Sequence, residues 1–324
     1  MINFEYTKAP STSAAIKTRS SFAASQFIAG GTNLVDLMKR GVMVPERLID
    51  ITGLPLKDLG DGPAGLTIGA LVPNSTVAEH PMVKSKYPLL AMALNAGASA
   101  QLRNMATVGG NIMQRTRCPY FYDTTMPCNK RSAGSGCSAM EGYNRMHAIF
   151  GASEACIAVH PSDMCVALAA LDAVVHASGP KGDRKIAFAD FHRLPGDTPM
   201  QDNNLATGEL ITAIQVPAHR FNKMYYLKVR DRLSYAFALV SVAVALEVNG
   251  GTIQAARLAM GGVAHKPWRL QAAEQLLVGK AATQANFAAT AELAMEGAKT
   301  YQHNGYKVKL GKAAIIEALT KAMG

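Results

Sequence analysis

Apolar residues in the first 80 positions come in short runs separated by turn residues. Residues 26–29 predict a buried strand, Gly30-Gly31 a turn after it, and Leu34, Leu37 and Met38 then recur at the spacing of a helix face. Residues 48–51 and 66–70 predict further strands, and 89–96 a helix. From Cys118 to about Gly142 the periodicity is lost and Pro, Gly, Ser, Asn and Cys take over. Such a stretch inside a compact domain is unusual and most often functional, and something other than a hydrophobic core must order it. Regular patterning resumes at Ala155, with a helix over 164–173 and an alternating strand over 211–216. Pro217-Ala218-His219 closes that strand and marks the expected boundary between a domain of residues 1–217 and one of residues 221–324. Beyond it, 224–229, 236–248 and 252–260 predict an antiparallel sheet, followed by helices over 267–278, 285–299 and 309–323. The fold class read from this order is α+β, with no internal repeat.

Composition narrows the class. With 49% hydrophobic and 17% charged residues, the chain has enough apolar material for a sizeable core and too little charge for disorder. The net charge of +10 raises the question of an anionic partner. Its basic residues are scattered, without five like charges in a row and with local enrichment between Arg103 and Arg145, which argues for a bound anion or cluster there and against a nucleic-acid face. The N-terminal residues lack the basic-then-apolar pattern of a signal peptide, and the longest apolar run, about 235–246, is too short for a membrane span. No membrane insertion is expected, and by its own sequence the chain reads as cytoplasmic.

Two glycine pairs stand where backbone N–H groups can meet an anion. Ala29-Gly30-Gly31-Thr32-Asn33 falls where a strand hands over to a helix, and Thr107-Val108-Gly109-Gly110-Asn111 follows a basic and polar run. Neither has the spacing of GxGxxG or of GxxxxGK[ST], so a Rossmann or P-loop reading is unsupported. Two such turns can grip one pyrophosphate from both sides; plain tight turns remain the alternative.

All five cysteines lie between residues 118 and 165. An odd count and no secretory signal argue against a disulfide framework. Structural zinc favours close Cys pairs, whereas here the nearest two of the first four, Cys128 and Cys137, have eight residues between them. Wide spacing suits an iron-sulfur cube, whose negative charge Arg115, Arg117, Lys130, Arg131 and Arg145 are placed in sequence to offset, with N–H groups near Gly134 and Gly136 for its sulfurs. Zinc and unliganded buried cysteines stay open on spacing alone. Cys165, in the apolar helical run 164–168, reads as a core residue.

In order along the chain, AGGTN (29–33), IGA (68–70), TVGGN (107–111), HPSD (160–163), GELI (208–211), KVR (228–230) and GGVA (261–264) resemble the flavoprotein subunits of the xanthine dehydrogenase family. The segments CPYFYD, PCNKR, GSGC and SEACIAVHPSD are similar to the FAD subunits of bacterial molybdenum-dependent aldehyde oxidoreductases, in which such an insert holds a [4Fe-4S] cluster. The resemblance implies a vanillyl-alcohol-oxidase (PCMH) type FAD-binding domain, with the insert at about 115–160, and a C-terminal domain like that of carbon monoxide dehydrogenase flavoproteins. It implies Cys118, Cys128, Cys137 and Cys156 as cluster ligands. For FAD it implies the backbone of Ala29, Gly30, Gly31, Thr32 and Asn33 and of Thr107, Gly109, Gly110 and Asn111 at the pyrophosphate. It further implies Gln114 where relatives often carry a small hydroxyl residue, Asp163 at ribityl or adenosine hydroxyls, and Ile211 and Lys228 near the isoalloxazine ring. Read without the resemblance, Asp163 is a helix N-cap, Ile211 a core residue and Lys228 a solvated charge.

The implied activity is that of an electron-transfer subunit in a molybdenum hydroxylase oxidising aldehydes to carboxylic acids. Its partners are then a large subunit with the molybdenum cofactor and a small subunit with [2Fe-2S] clusters, from which FAD in this chain carries electrons to an external acceptor. Co-export with a partner would make it periplasmic. The competing classes are a self-sufficient FAD-dependent oxidoreductase and a zinc-binding interaction protein.

Overall fold

The structure, a computed structural model, describes residues 1–324. Strands β1 (Glu5–Lys8), β2 (Ser25–Ile28) and β3 (Arg47–Asp50) form a small parallel sheet in the order β1-β3-β2. Strands β4 (Leu59–Gly62), β5 (Gly65–Gly69), β6 (Val174–Gly179), β7 (Gly182–Ala187) and β8 (Leu210–Pro217) form an antiparallel sheet in the order β4-β5-β8-β6-β7. A third, antiparallel sheet joins β9 (Lys223–Val229), β10 (Val240–Asn249), β11 (Thr252–Gly261) and β12 (Trp268–Arg269) in the order β12-β11-β10-β9. The architecture is the expected mixture of helix and sheet, closing with an antiparallel sheet plus helices.

Strand β10 explains the longest apolar run. Its side chains alternate between two cores, because successive residues of a strand point to opposite faces. Ala243 and Ala245 pack with the helices Pro88–Ala96 and Asp163–Ala170. Val242, Val244 and Leu246 pack with the C-terminal helices, among them Tyr306–Met323. A strand covered on both faces needs no polar alternation. No helix is long and apolar enough to cross a membrane.

Three expectations shift. Residues 236–239 are not strand: the chain turns through Tyr235 (φ 51°) and β10 begins at Val240. Trp268 and Arg269 pair with β11, so the helix expected from 267 starts at Gln271. The helix near 285–299 ends at Ala294.

The irregular segment is ordered largely by polar anchors. Arg131 donates to the carbonyls of Tyr120 (2.5 Å) and Phe121 (2.8 Å), folding the loop on itself. Buried Asn144 donates to Ala139 O and Met140 O and accepts from the His303 N–H (2.9 Å). From the C-terminal helix, buried Lys307 donates to the carbonyls of Met146, His147 and Gly262 (3.0, 3.0 and 2.6 Å). These bonds satisfy backbone groups that lie outside any ladder, as burial demands.

Candidate functional site

The two glycine turns face one cleft of about 750 Å³, within the roughly 300–1,000 Å³ usual for small-molecule and cofactor sites. Ala29, Gly30, Gly31, Thr32 and Asn33 line it after β2; Thr107, Gly109 and Gly110 line it at the short helix Val108–Ile112; Ile211 lines it from β8. A Cβ on Gly30 would stand 1.8 Å from Met105 O, and one on Gly109 would stand 2.9 Å from Ala70 Cβ. The turns therefore approach their supports as only glycine allows. Gly31 has φ 70°, the left-handed region. Thr107 Oγ1 accepts from the Gly110 N–H (3.2 Å) and so caps its helix.

Asn33 Oδ1 accepts from the Arg115 N–H (2.9 Å), while its buried Nδ2 has no protein acceptor. Buried amide donors are nearly always paired, so this one fits a bound acceptor. Arg19, Arg115 and Arg193 line the walls together with Asp202 and Glu209. Size, glycine cradle and free amide together suit a dinucleotide.

Asn111 and Gln114 do not line the cleft. Asn111 Oδ1 accepts from Ser162 Oγ (2.5 Å) and from Gln114 Nε2 (2.8 Å), tying the second glycine turn to the helix Asp163–Ala170.

Asp163 bounds a separate cavity of about 150 Å³, shared with Cys118, His147, His160 and Phe237. It is not the N-cap: Ser162 Oγ accepts from the Cys165 N–H (3.1 Å), and Asp163 is the first helical residue. Its carboxylate accepts from Tyr226 OH and from Lys228 Nζ, both at 2.8 Å. Lys228 also donates to Ala96 O (3.0 Å), and its side chain is 4% exposed. The solvated-charge reading of Lys228 is thus corrected: β9 presents a buried cation that only a paired carboxylate makes tolerable.

Cys118, Cys128, Cys137 and Cys156 line one small hole, together with Lys130 and Phe121; Cys165 does not. Cys118 precedes the short helix Pro119–Tyr122, and Cys128 and Cys137 face each other across an isolated antiparallel bridge. His147 Nε2 stands 3.1 Å from Cys118 Sγ, and the Ala158 N–H donates to Cys156 Sγ (3.5 Å). Burial pushes the Cys118 thiol up to about 12 and the Cys156 thiol up to about 11. Desolvation, and to a lesser degree Lys307, pulls His147 down to about 4, so its ring is neutral at pH 7. All five cysteines are free thiols.

The expected cationic shell differs in detail. Of the five basic residues, only Lys130 borders the hole. Arg117 pairs with Asp36 (3.2 Å), Arg145 with Asp231 (2.8 Å) and Arg115 with Asp202 (2.7 Å), while Arg131 is spent on loop carbonyls. The Gly136 N–H donates to Asn129 Oδ1 (2.9 Å) and not to a sulfur. Asp202, His147 and His265 were not singled out from the sequence, because their partners lie far along the chain.

Residues 2–219 match the family described as FAD binding domain in molybdopterin dehydrogenase, and residues 225–322 match the CO dehydrogenase flavoprotein C-terminal domain. The chain is 51% identical over 301 residues to the aldehyde oxidoreductase FAD-binding subunit PaoB of Escherichia coli (strain K12), covering 92% of this chain and 91% of that one. It is 32% identical to the glyceraldehyde dehydrogenase medium chain of Sulfolobus acidocaldarius, over 86% and 82% of the two chains. Among solved structures, a carbon monoxide dehydrogenase chain from Hydrogenophaga pseudoflava superposes with a TM-score of 0.78 at 26% identity, covering 100% of this chain and 99% of that one. With the two family matches in tandem, the glycine cradle inside the first and 51% identity to PaoB, the chain belongs to the xanthine dehydrogenase family, as a FAD-binding oxidoreductase subunit of the aldehyde oxidoreductase type.

Proposed function

We propose that this chain is the flavin electron-transfer subunit of a molybdenum hydroxylase complex oxidising aldehydes to carboxylic acids. It stands between the [2Fe-2S] clusters of a small subunit, fed by a large subunit with the molybdenum cofactor, and an external acceptor. The aldehyde substrate class is inferred from the 51% identity to PaoB. A [4Fe-4S] cluster held by Cys118, Cys128, Cys137 and Cys156 is part of the reading, and its carrying observation is that four of the five thiols border one hole. Spacing along the chain favours a cube over a single ion: structural zinc draws on close Cys pairs, and the nearest two of these four have eight residues between them.

Bound FAD supplies a centre that accepts electrons singly and gives them up in pairs. The chain's own residues hold and orient it. Backbone N–H groups of residues 29–33 would meet the pyrophosphate, with the free Asn33 amide as a further donor, while Gly109 and Gly110 let the opposite wall come close. Ile211 offers an apolar wall near the ring system. Asp163 would be the acceptor for a hydroxyl, and Lys228, through its 2.8 Å bond, holds that carboxylate in place rather than acting as a lone cation beside the ring.

The test is Cys128→Ser in the full chain, prepared without oxygen. The variant should lose iron and become protease-sensitive within residues 118–156, while still binding flavin when FAD is saturating. Full iron content with unchanged protease resistance would refute the ligand assignment, and stoichiometric zinc in the wild type would replace it with a zinc site.

A further inference from the structure

We propose that Asp202 is a positioning residue that couples the cysteine pocket to the flavin cleft, so that filling one strengthens the other. The inference rests on the cofactor reading above and deepens it. Its basis is a continuous line of bonds. At one end Lys130, whose side chain is 1% exposed, borders the cysteine hole and donates to Asp202 Oδ1 (2.5 Å). At the other, Arg115 Nε donates to Asp202 Oδ2 (2.7 Å), and Arg115 lines the flavin cleft while its N–H holds Asn33 Oδ1 at 2.9 Å. One carboxylate thus spends an oxygen on each site.

The same joint reaches two further segments. Lys130 Nζ also donates to Pro199 O (2.8 Å) and lies 2.8 Å from His265 Nε2, a residue of the C-terminal domain. The Asp202 carbonyl accepts from the Arg193 N–H (3.0 Å), and Met200, Gln201, Asp202 and Asn203 form one wall of the cleft. A displaced Lys130 would leave Asp202 half-paired in a half-buried place, and the wall could relax only by carrying Arg115, and with it Asn33, away from the first glycine turn. A buried Lys130 and a half-buried Arg115 on one carboxylate have few alternative arrangements, which is the condition for passing a change from one site to another.

Coupling is reciprocal by thermodynamic necessity, and this separates it from a merely structural role. In the full chain, Lys130→Met should weaken FAD binding about tenfold, within the usual range for coupled sites, although Lys130 does not line the cleft. Asp202→Asn should weaken it at least as much, and the double variant should match Asp202→Asn alone. In reverse, saturating FAD should raise the iron affinity of the wild type by about fivefold, read by equilibrium competition with a chelator, and should have no effect in Asp202→Asn or in Arg115→Gln. Arg115→Gln serves if Lys130→Met fails to fold, because Arg115 does not itself border the cysteine hole. An FAD affinity unchanged by Lys130→Met, effects of the two substitutions that multiply independently, or iron retention that responds to FAD equally in all variants would each overturn the coupling. A wild type free of iron sinks the cluster reading instead, and the FAD titrations still decide whether Asp202 links the two regions.

Discussion

Replacing Gly30 by alanine tests the cradle directly. The new Cβ would lie 1.8 Å from the backbone oxygen of Met105, at least 1.2 Å inside the 3.0 Å below which real Cβ atoms are essentially never found. A backbone oxygen has no rotamer to escape into, so either the 29–33 turn or the end of the helix Ala100–Met105 must retreat. Overpacking of this kind costs about 1–3 kcal/mol. Because the turn is itself the proposed phosphate contact, most of that should be felt in binding, raising the FAD dissociation constant about 5- to 150-fold at ~1.4 kcal/mol per decade. Quenching of flavin fluorescence on titration into flavin-free protein gives the constant, and thermal unfolding reports what falls on stability. Gly60→Ala is the control, since a Cβ there meets nothing within 4 Å. A Gly30→Ala protein that binds FAD as tightly as the wild type would refute the close approach and the role built on it.

Other consequences are equally open to measurement. Asp163→Ala strands Lys228 and the Tyr226 hydroxyl in a buried site, so stability should fall by roughly 3–5 kcal/mol in denaturant titrations; a loss under 1 kcal/mol contradicts the pairing. His147→Phe removes the ring nitrogen 3.1 Å from Cys118 Sγ, which donates to that sulfur once it is a thiolate ligand. A hydrogen bond to sulfur favours the more negative, reduced cluster, so redox titration should find the potential lowered by some tens of millivolts, at about 60 mV per decade for one electron. Burial pushes the Asp202 carboxyl up, but Lys130 and Arg115 outweigh it and bring it down to about 2. A depressed carboxyl contributes fully above its unfolded pKa near 4 and loses that contribution as pH falls toward 2. Asp202→Asn should therefore be about 2 kcal/mol less stable at pH 6, with the difference shrinking between pH 4 and pH 2; a gap independent of pH in that window argues against the doubly paired carboxylate.

Local patterns carried much of the fold because the elements concerned are half-buried and their periodicity is visible. The strand at Ser25–Ile28, its glycine turn and the helix Leu34–Lys39 follow from one continuous run, residues 25–39. The hairpin β6–β7 does not, since β7 (GDRKIA) is exposed at all but Ile186 and lacks alternation. Strand β1 is exposed throughout and owes its conformation to parallel pairing with β3, some forty residues away. At the candidate site, the glycines were legible because close backbone approach demands that residue type, and the cysteines because clustering in sequence is visible. Which cations face the cysteine hole was not legible: Arg115 and Lys130 meet Asp202 across 87 and 72 positions, and such pairings are set by tertiary packing. Likewise the burial of Lys228 depends on Asp163, 65 residues earlier.

The most direct test of the account is flavin and iron quantification on the full chain purified without oxygen, with its absorption spectrum and the electron paramagnetic resonance of the reduced protein. One FAD and one [4Fe-4S] cluster per chain are expected. A fully folded protein that binds neither flavin nor iron when both are supplied would contradict it.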